Sequence, residues 1–225
     1  MTNVAAILAD SSTIQPLVLS GKVLAVSALL QLLLSVPLAC WLARSEGLLG
    51  TIVDTAVTMP LVFPPVATGF ILLLVLGRRG PFSSILGDSI IFQFPGLVVA
   101  AFIAGLPLAI KPVQAALGSP EAKKLSEVAS VLGKSETSIF LRVLMPYAKR
   151  SIVAGLLLST GRSLGEVGMT LMLGGNIIGR TNTLSLEIYN TVFNGELEKA
   201  AVLSGLTGFI AIMMFVVFKK ISNSK

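Results

Sequence analysis

Four stretches of the 225-residue chain carry no charge: 21 residues between Lys22 and Arg44, 23 between Asp54 and Arg78, 22 between Asp88 and Lys111, and 19 between Lys199 and Lys219. A helix crosses a hydrocarbon core of about 30 Å with about 20 residues, so each stretch is long enough to span a bilayer. A fifth, Ser151 to Gly179, is interrupted only by Arg162 and Glu166. The expected fold class is an all-α membrane protein with five transmembrane helices, at 17–43, 52–77, 89–114, 147–177 and 199–219, in one domain over 1–225. The first span is too long for a signal-peptide core, and an acidic residue rather than a basic cluster precedes it. With 54% of residues hydrophobic and 12% charged, a soluble fold could not clothe its exterior.

The same inventory removes several chemistries. Cys40 is the single cysteine and histidine is absent, so the chain has no intrachain disulfide, no Cys/His metal cluster and no histidine-dependent nucleophile. The net charge of +6 belongs to loops that flank apolar runs rather than to a nucleic-acid surface. Placing the loop between the third and fourth spans in the cytoplasm puts eleven Lys and Arg residues on that side and five on the other, with Arg162 in the membrane. Basic residues concentrate on the cytoplasmic side, so the N-terminus is expected outside and the C-terminus inside a plasma or inner membrane.

Two stretches are more than anchors. The second span opens with Met59-Pro60-Leu61-Val62-Phe63-Pro64-Pro65. Prolines remove backbone donors, so this density predicts a broken helix facing an enclosed cavity. The loop over 119–146 predicts two short amphipathic helices. Ser119-Pro120-Glu121 starts the first, with a capping hydroxyl, a proline at the first helical position and an acid at the positive dipole end. Leu125, Val128, Ala129 and Leu132 recur on one face, Gly133 stops the helix, Ser135-Glu136 starts the second, and Pro146 is expected to end it.

Glu127-Val128-Ala129, three residues, Gly133, nine residues and Val143-Leu144-Met145-Pro146 resemble the Glu-Ala-Ala loop of ATP-binding-cassette importer permeases, with apolar replacements at Val128, Val143 and Met145. Pro60–Pro65, Gly77-Arg78-Arg79-Gly80, Arg162–Thr170 and Gly174–Thr181 are similar to the molybdate branch of that family. The resemblance implies the type I importer permease fold, with the 119–146 segment as a coupling loop. Glu127, Ala129, Gly133 and Pro146 would then engage the ATPase. It implies a homodimer, two ATPase subunits and an extracytoplasmic molybdate-binding protein, in membrane lipid and without nucleic acid. The chain would bind no cofactor of its own: neither Gly21-Lys22 nor Gly133-Lys134 lies in a phosphate-binding loop, so ATP and Mg²⁺ belong to the partner. The substrate implied is molybdate or tungstate. A sulfate or thiosulfate permease is the alternative within the family, and an ion-coupled secondary transporter the alternative outside it.

Arg162 and Glu166 lie four residues apart, on one helical face. Each alone would cost roughly 2.5–3.5 kcal/mol at the bilayer centre, so both should face the interior or a cavity. Two roles are open to them, a structural ion pair or a gate on the pathway lined by Pro64 and Pro65. Gly161, Gly165 and Gly168 are expected to permit close helix packing. Arg78, Arg79, Asn176 and Arg180 fall in outer loops, as docking contacts for the binding protein or as an anion entrance.

Overall fold

The computed structural model describes residues 4–83 and 89–223, and among these every regular element is helical. Asp88 and Lys225, two of the charges that bracket and orient the spans above, lie outside the described residues. The elements are α1 (Val4–Ala9), α2 (Ser11–Leu42), α3 (Leu48–Val62), α4 (Pro65–Leu76), α5 (Phe94–Leu117), α6 (Pro120–Val131), α7 (136–164), α8 (Gly168–Gly174), α9 (Leu184–Phe193) and α10 (Leu197–Asn223). Three of them contain windows long and apolar enough to cross a membrane: Ser11–Leu42, Phe94–Leu117 and Leu197–Val217. The segments expected at 52–77 and 147–177 are each split into two shorter helices.

α5 is the central post. Of its most apolar window 61% is buried within the chain, against 39% for α2 and 11% for α10. α7 packs along α5 through Gly155, where a Cβ would lie 2.8 Å from the carbonyl oxygen of Ala109. α10 leaves most of its apolar surface uncovered, including Phe209, Ile212 and Phe215, as suits a helix facing lipid or another chain.

α2, α5 and α7 are joined by one buried polar node. Gln31 donates from Nε2 to the carbonyl oxygen of Phe102 at 3.4 Å and accepts from Ser159 Oγ. Ser163 Oγ donates to the Ala101 carbonyl at 2.6 Å. In a bilayer such groups must find partners inside the protein, so these bonds set the helices' mutual rotation. A Cβ on residue 105 would fall 2.2 Å from Gln31 Nε2, so Gly105 is what admits the Gln31 side chain.

Pro146 does not end a helix, contrary to the sequence expectation. It lies at the start of Met145–Leu164 inside the unbroken run of α7. The preceding residues, Phe140–Leu144, form a π turn. The wider turn absorbs the residue whose carbonyl the proline ring would strike and whose partner N–H is missing. α2 repeats the device: the π turn Gln31–Ser35 precedes Pro37. At the N-terminal end of α2, Asp10 caps the helix by accepting from Ser12 N at 3.3 Å, and the Ser12 hydrogen bonds hold its carboxyl below the usual range.

Candidate functional site

The two helix breaks meet. α3 ends at Phe63, which is extended at φ −77° and ψ 142°, and α4 begins at Pro65. Consecutive Pro64 and Pro65 supply no N–H, so the hydrogen-bond ladder cannot pass through them. The second break, Gly165–Val167, separates α7 from α8. Across the junction a Cβ on Gly168 would sit 2.9 Å from Val66 N and 3.0 Å from Pro65 Cβ, and one on Gly69 would sit 2.8 Å from Met169 Cα. The half-helices α4 and α8 are thus in backbone-to-backbone contact, which only glycine at both positions allows.

Glu166 occupies the second break. Its Oε2 receives Arg162 Nη1 at 2.7 Å, and its Oε1 receives the Met169 N–H at 2.8 Å. The residue is 3% exposed, while the Arg162 side chain remains 29% exposed. One carboxylate therefore neutralises Arg162 and also satisfies a free donor at the first turn of α8, where the helix dipole favours negative charge. The i,i+4 pairing is legible in the sequence. The capping role was missed, although Glu followed three residues later by the start of an apolar run is its signal. Glu166 lines a small cavity of about 10 Å³ together with Ser20, Ser163, Thr170 and Thr183.

The glycines divide differently from the expectation. Gly168 makes the close approach described above, but nothing lies within 4 Å of a Cβ at Gly161 or Gly165. Both are exposed in the single chain, on a surface that no element among the described residues covers.

On the cytoplasmic side of the sequence topology, Ser119 Oγ accepts from Ala122 N at 3.2 Å to cap α6, and Ser135 caps the start of α7 by accepting from Ser138 N at 3.4 Å. Gly133, at φ +75°, reverses the chain between them. Gly133 N bonds to the Ser130 carbonyl and Lys134 N to the Ala129 carbonyl, closing a Schellman stop. Ala129 packs inward with Ala122, Ile139 and Leu144. Leu125, Val128 and Leu132 are not buried with it: they are exposed, with Val131 at 89%. Residues one apart on a helix are turned by about 100°, so a buried Ala129 forces Val128 outward. Glu127, Gly133 and Pro146 are also exposed.

The outer residues do not converge on one point. Arg78 and Arg79 are exposed in the turn after α4. Asn176 exchanges amide hydrogen bonds with Asn190, at 2.6 and 3.2 Å, on the wall of a 450 Å³ pocket. Arg180 and Lys22 line an adjoining 310 Å³ cavity, which shares Gln15 and Asn182 with that pocket. Sequence reasoning missed the buried ion pair Lys199–Glu187, 2.7 Å long, in which Glu187 also accepts from Asn182 at 2.6 Å and Lys199 donates to Ser12. Its partners are separated along the chain by a change of helix, so no periodicity announces it.

Comparison with known proteins places this geometry. The molybdenum transport system permease protein ModB of Azotobacter vinelandii is 33% identical over 211 residues, 92% of either chain. The proteins of that name from Mycobacterium tuberculosis and Escherichia coli K12 are 37% and 32% identical, over 82% and 79% of this chain and 70% and 79% of theirs. The fold is shared with a bacterial ABC transporter involved in the import of the acidic polysaccharide alginate, at a TM-score of 0.73 and 18% identity over 97% of this chain and 80% of that one. Residues 35–223, which include both helix breaks and the capped hairpin, match the family model described as binding-protein-dependent transport system inner membrane component, and the chain belongs to that family.

Proposed function

We propose that the chain is the membrane-spanning permease subunit of an ATP-driven molybdate importer, acting as one of two copies. The supporting observation is that the similarity to a molybdenum transport permease runs over 92% of both chains, with no large part of either left over. In this reading five spans cross the inner membrane with the N-terminus outside. The second comprises α3 and α4, and the fourth the inner part of α7 with α8. The uncovered apolar stripe of Leu125, Val128, Val131 and Leu132, with Glu127 and Gly133 beside it, receives the ATPase. Exposed apolar residues on a rigidly capped element transmit a push with little loss, because both helix ends are already satisfied. Pro146 lies within α7, on the continuous run that carries the push towards Arg162.

The paired breaks are the proposed pathway lining, with Pro64, Pro65 and Arg162 towards the second copy. Arg162 is already neutralised by Glu166, so it is a weak anion ligand. Its partly exposed guanidinium instead offers donors to a passing oxyanion without trapping it. Arg78, Arg79 and Arg180, on the outer side, raise the local concentration of a dianion or engage the binding protein. ATP and Mg²⁺ sit on the partner ATPase.

Reconstitution tests this. Proteoliposomes with the chain alone should neither hydrolyse ATP nor accumulate molybdate. Adding the ATPase and the loaded binding protein should give ATP-dependent uptake, competed more strongly by tungstate than by sulfate. Uptake by the chain alone overturns the importer reading, and preference for sulfate moves the protein to the neighbouring branch.

A further inference from the structure

α3 is lightly packed and open at both ends. Of its fifteen residues only Gly50, Val57 and Pro60 are buried, and its ends are open, with Leu48 77% and Val62 84% exposed. Both ends are pivots. At one, Gly47 has φ +108°, a conformation L side chains rarely adopt, and nothing lies within 4 Å of its Cβ position. At the other, Phe63 and Pro64 are extended and Pro64-Pro65 interrupt the ladder. Beyond that pivot α4 is locked to α8 by the Gly69 and Gly168 contacts. α3 meets the central post along one short stretch: Val57 packs with Ile110 and Val113 of α5, and beside it Lys111 Nζ lies 2.7 Å from both carboxylate oxygens of Asp54, each side chain being 34% exposed, with Gln114 as a second hydrogen-bond partner of that carboxylate.

We propose that α3 is a hinged strut, latched to α5 by Asp54–Lys111, which swings about Gly47 and Phe63–Pro64 while α4 stays fixed. Beside so small an apolar patch, the charged pair acts as a latch because its strength depends on geometry. A small rotation loses both short contacts together, whereas a broad apolar face would yield gradually. The alternative states of such an element differ in few contacts, so modest forces shift its population. This inference rests on the importer reading only for what drives the swing; the hinge itself belongs to the chain.

The test is a pair of intramolecular distances in the full chain, in lipid nanodiscs, with Cys40→Ala and dilution into unlabelled chain. Spin labels at Ile52 and Ala115 report α3 against α5, and labels at Leu74 and Ile178 report the outer half; all four positions are exposed. Asp54→Asn should broaden the Ile52–Ala115 distribution at least twofold and leave Leu74–Ile178 unchanged. Exchanging the charges, Asp54→Lys with Lys111→Asp, should restore the narrow distribution. An unchanged Ile52–Ala115 distance in Asp54→Asn overturns the latch, as does equal broadening of both distances, which would mark general loosening. Failure of the exchanged pair to restore it overturns the ion pair as the fastening. None of these readings requires ATP, binding protein or uptake, so failure of the importer assignment would appear in the liposome assay alone.

Discussion

Glu166 has two carboxylate oxygens and both are committed, one to Arg162 and one to the first turn of α8. Removing the acid therefore does two things: it strands a guanidinium within the membrane and frees a donor at a helix start. Glu166→Leu should cost about 3–5 kcal/mol, the cost of breaking a buried pair from one side. Arg162→Met with Glu166→Leu should cost less than the two single changes summed, because the stranded charge is gone. Expression level and thermal midpoint in detergent measure this separately from transport. Additive losses would show that the two residues do not act together. Gly105 poses a steric question instead. Gly105→Ala drives a methyl group into Gln31 Nε2 and should destabilise by about 1–3 kcal/mol. Combining it with Gln31→Ala should recover part of the loss if the clash is the cause.

At the scale of elements, the α6–α7 hairpin owes its shape to three local devices: the Ser119 cap, the Schellman stop at Gly133 and the Ser135 cap. Gly133→Val places a β-branched residue at φ +75°, where it is strained whatever the space around it. The chain should still insert and accumulate normally, since nothing packs on this residue. Association with the ATPase should fall at least tenfold, read by co-purification, or hydrolysis should become uncoupled from uptake. Normal transport by this variant would show that the bend is not needed for docking. Val131→Glu, on the exposed stripe, should weaken the same association without touching stability, because the side chain meets no other part of this chain. The two π turns show how proline is accommodated: each sits one turn before its proline and lets a long helix continue.

For the whole molecule the expectation is topological. In a Cys40-free background, Val131→Cys should react with a membrane-impermeant thiol reagent only after the cell is opened, and Ile178→Cys should react in intact cells; both side chains are more than 80% exposed. The reverse pattern would invert the orientation drawn from the eleven-to-five basic count. Within the chain, burial falls from α5 through α2 to α10. That gradient leaves the outward faces of α3, α7 around Gly161, and α10 for lipid or a second copy.

The sequence by itself determined that this is a helical membrane protein with a capped, glycine-bent hairpin on its positive side. Uncharged run length, proline and glycine placement and capping residues act locally or through the bilayer, and both influences can be read one segment at a time. It also paired Arg162 with Glu166 through their four-residue spacing, and the pairing holds although Glu166 lies just beyond the end of α7. Tertiary structure decided the rest. Whether Pro146 stops or enters a helix depended on a π turn. Which of Gly161, Gly165 and Gly168 meets a neighbour depended on where α4 came to lie. Whether Val128 or Ala129 faced inward depended on helix rotation against α7. Gln31 and Gly105, Lys111 and Asp54, and Lys199 and Glu187 are pairings between segments far apart in the chain or across a change of helix. Their partners become neighbours only when the helices pack, and no local pattern encodes that.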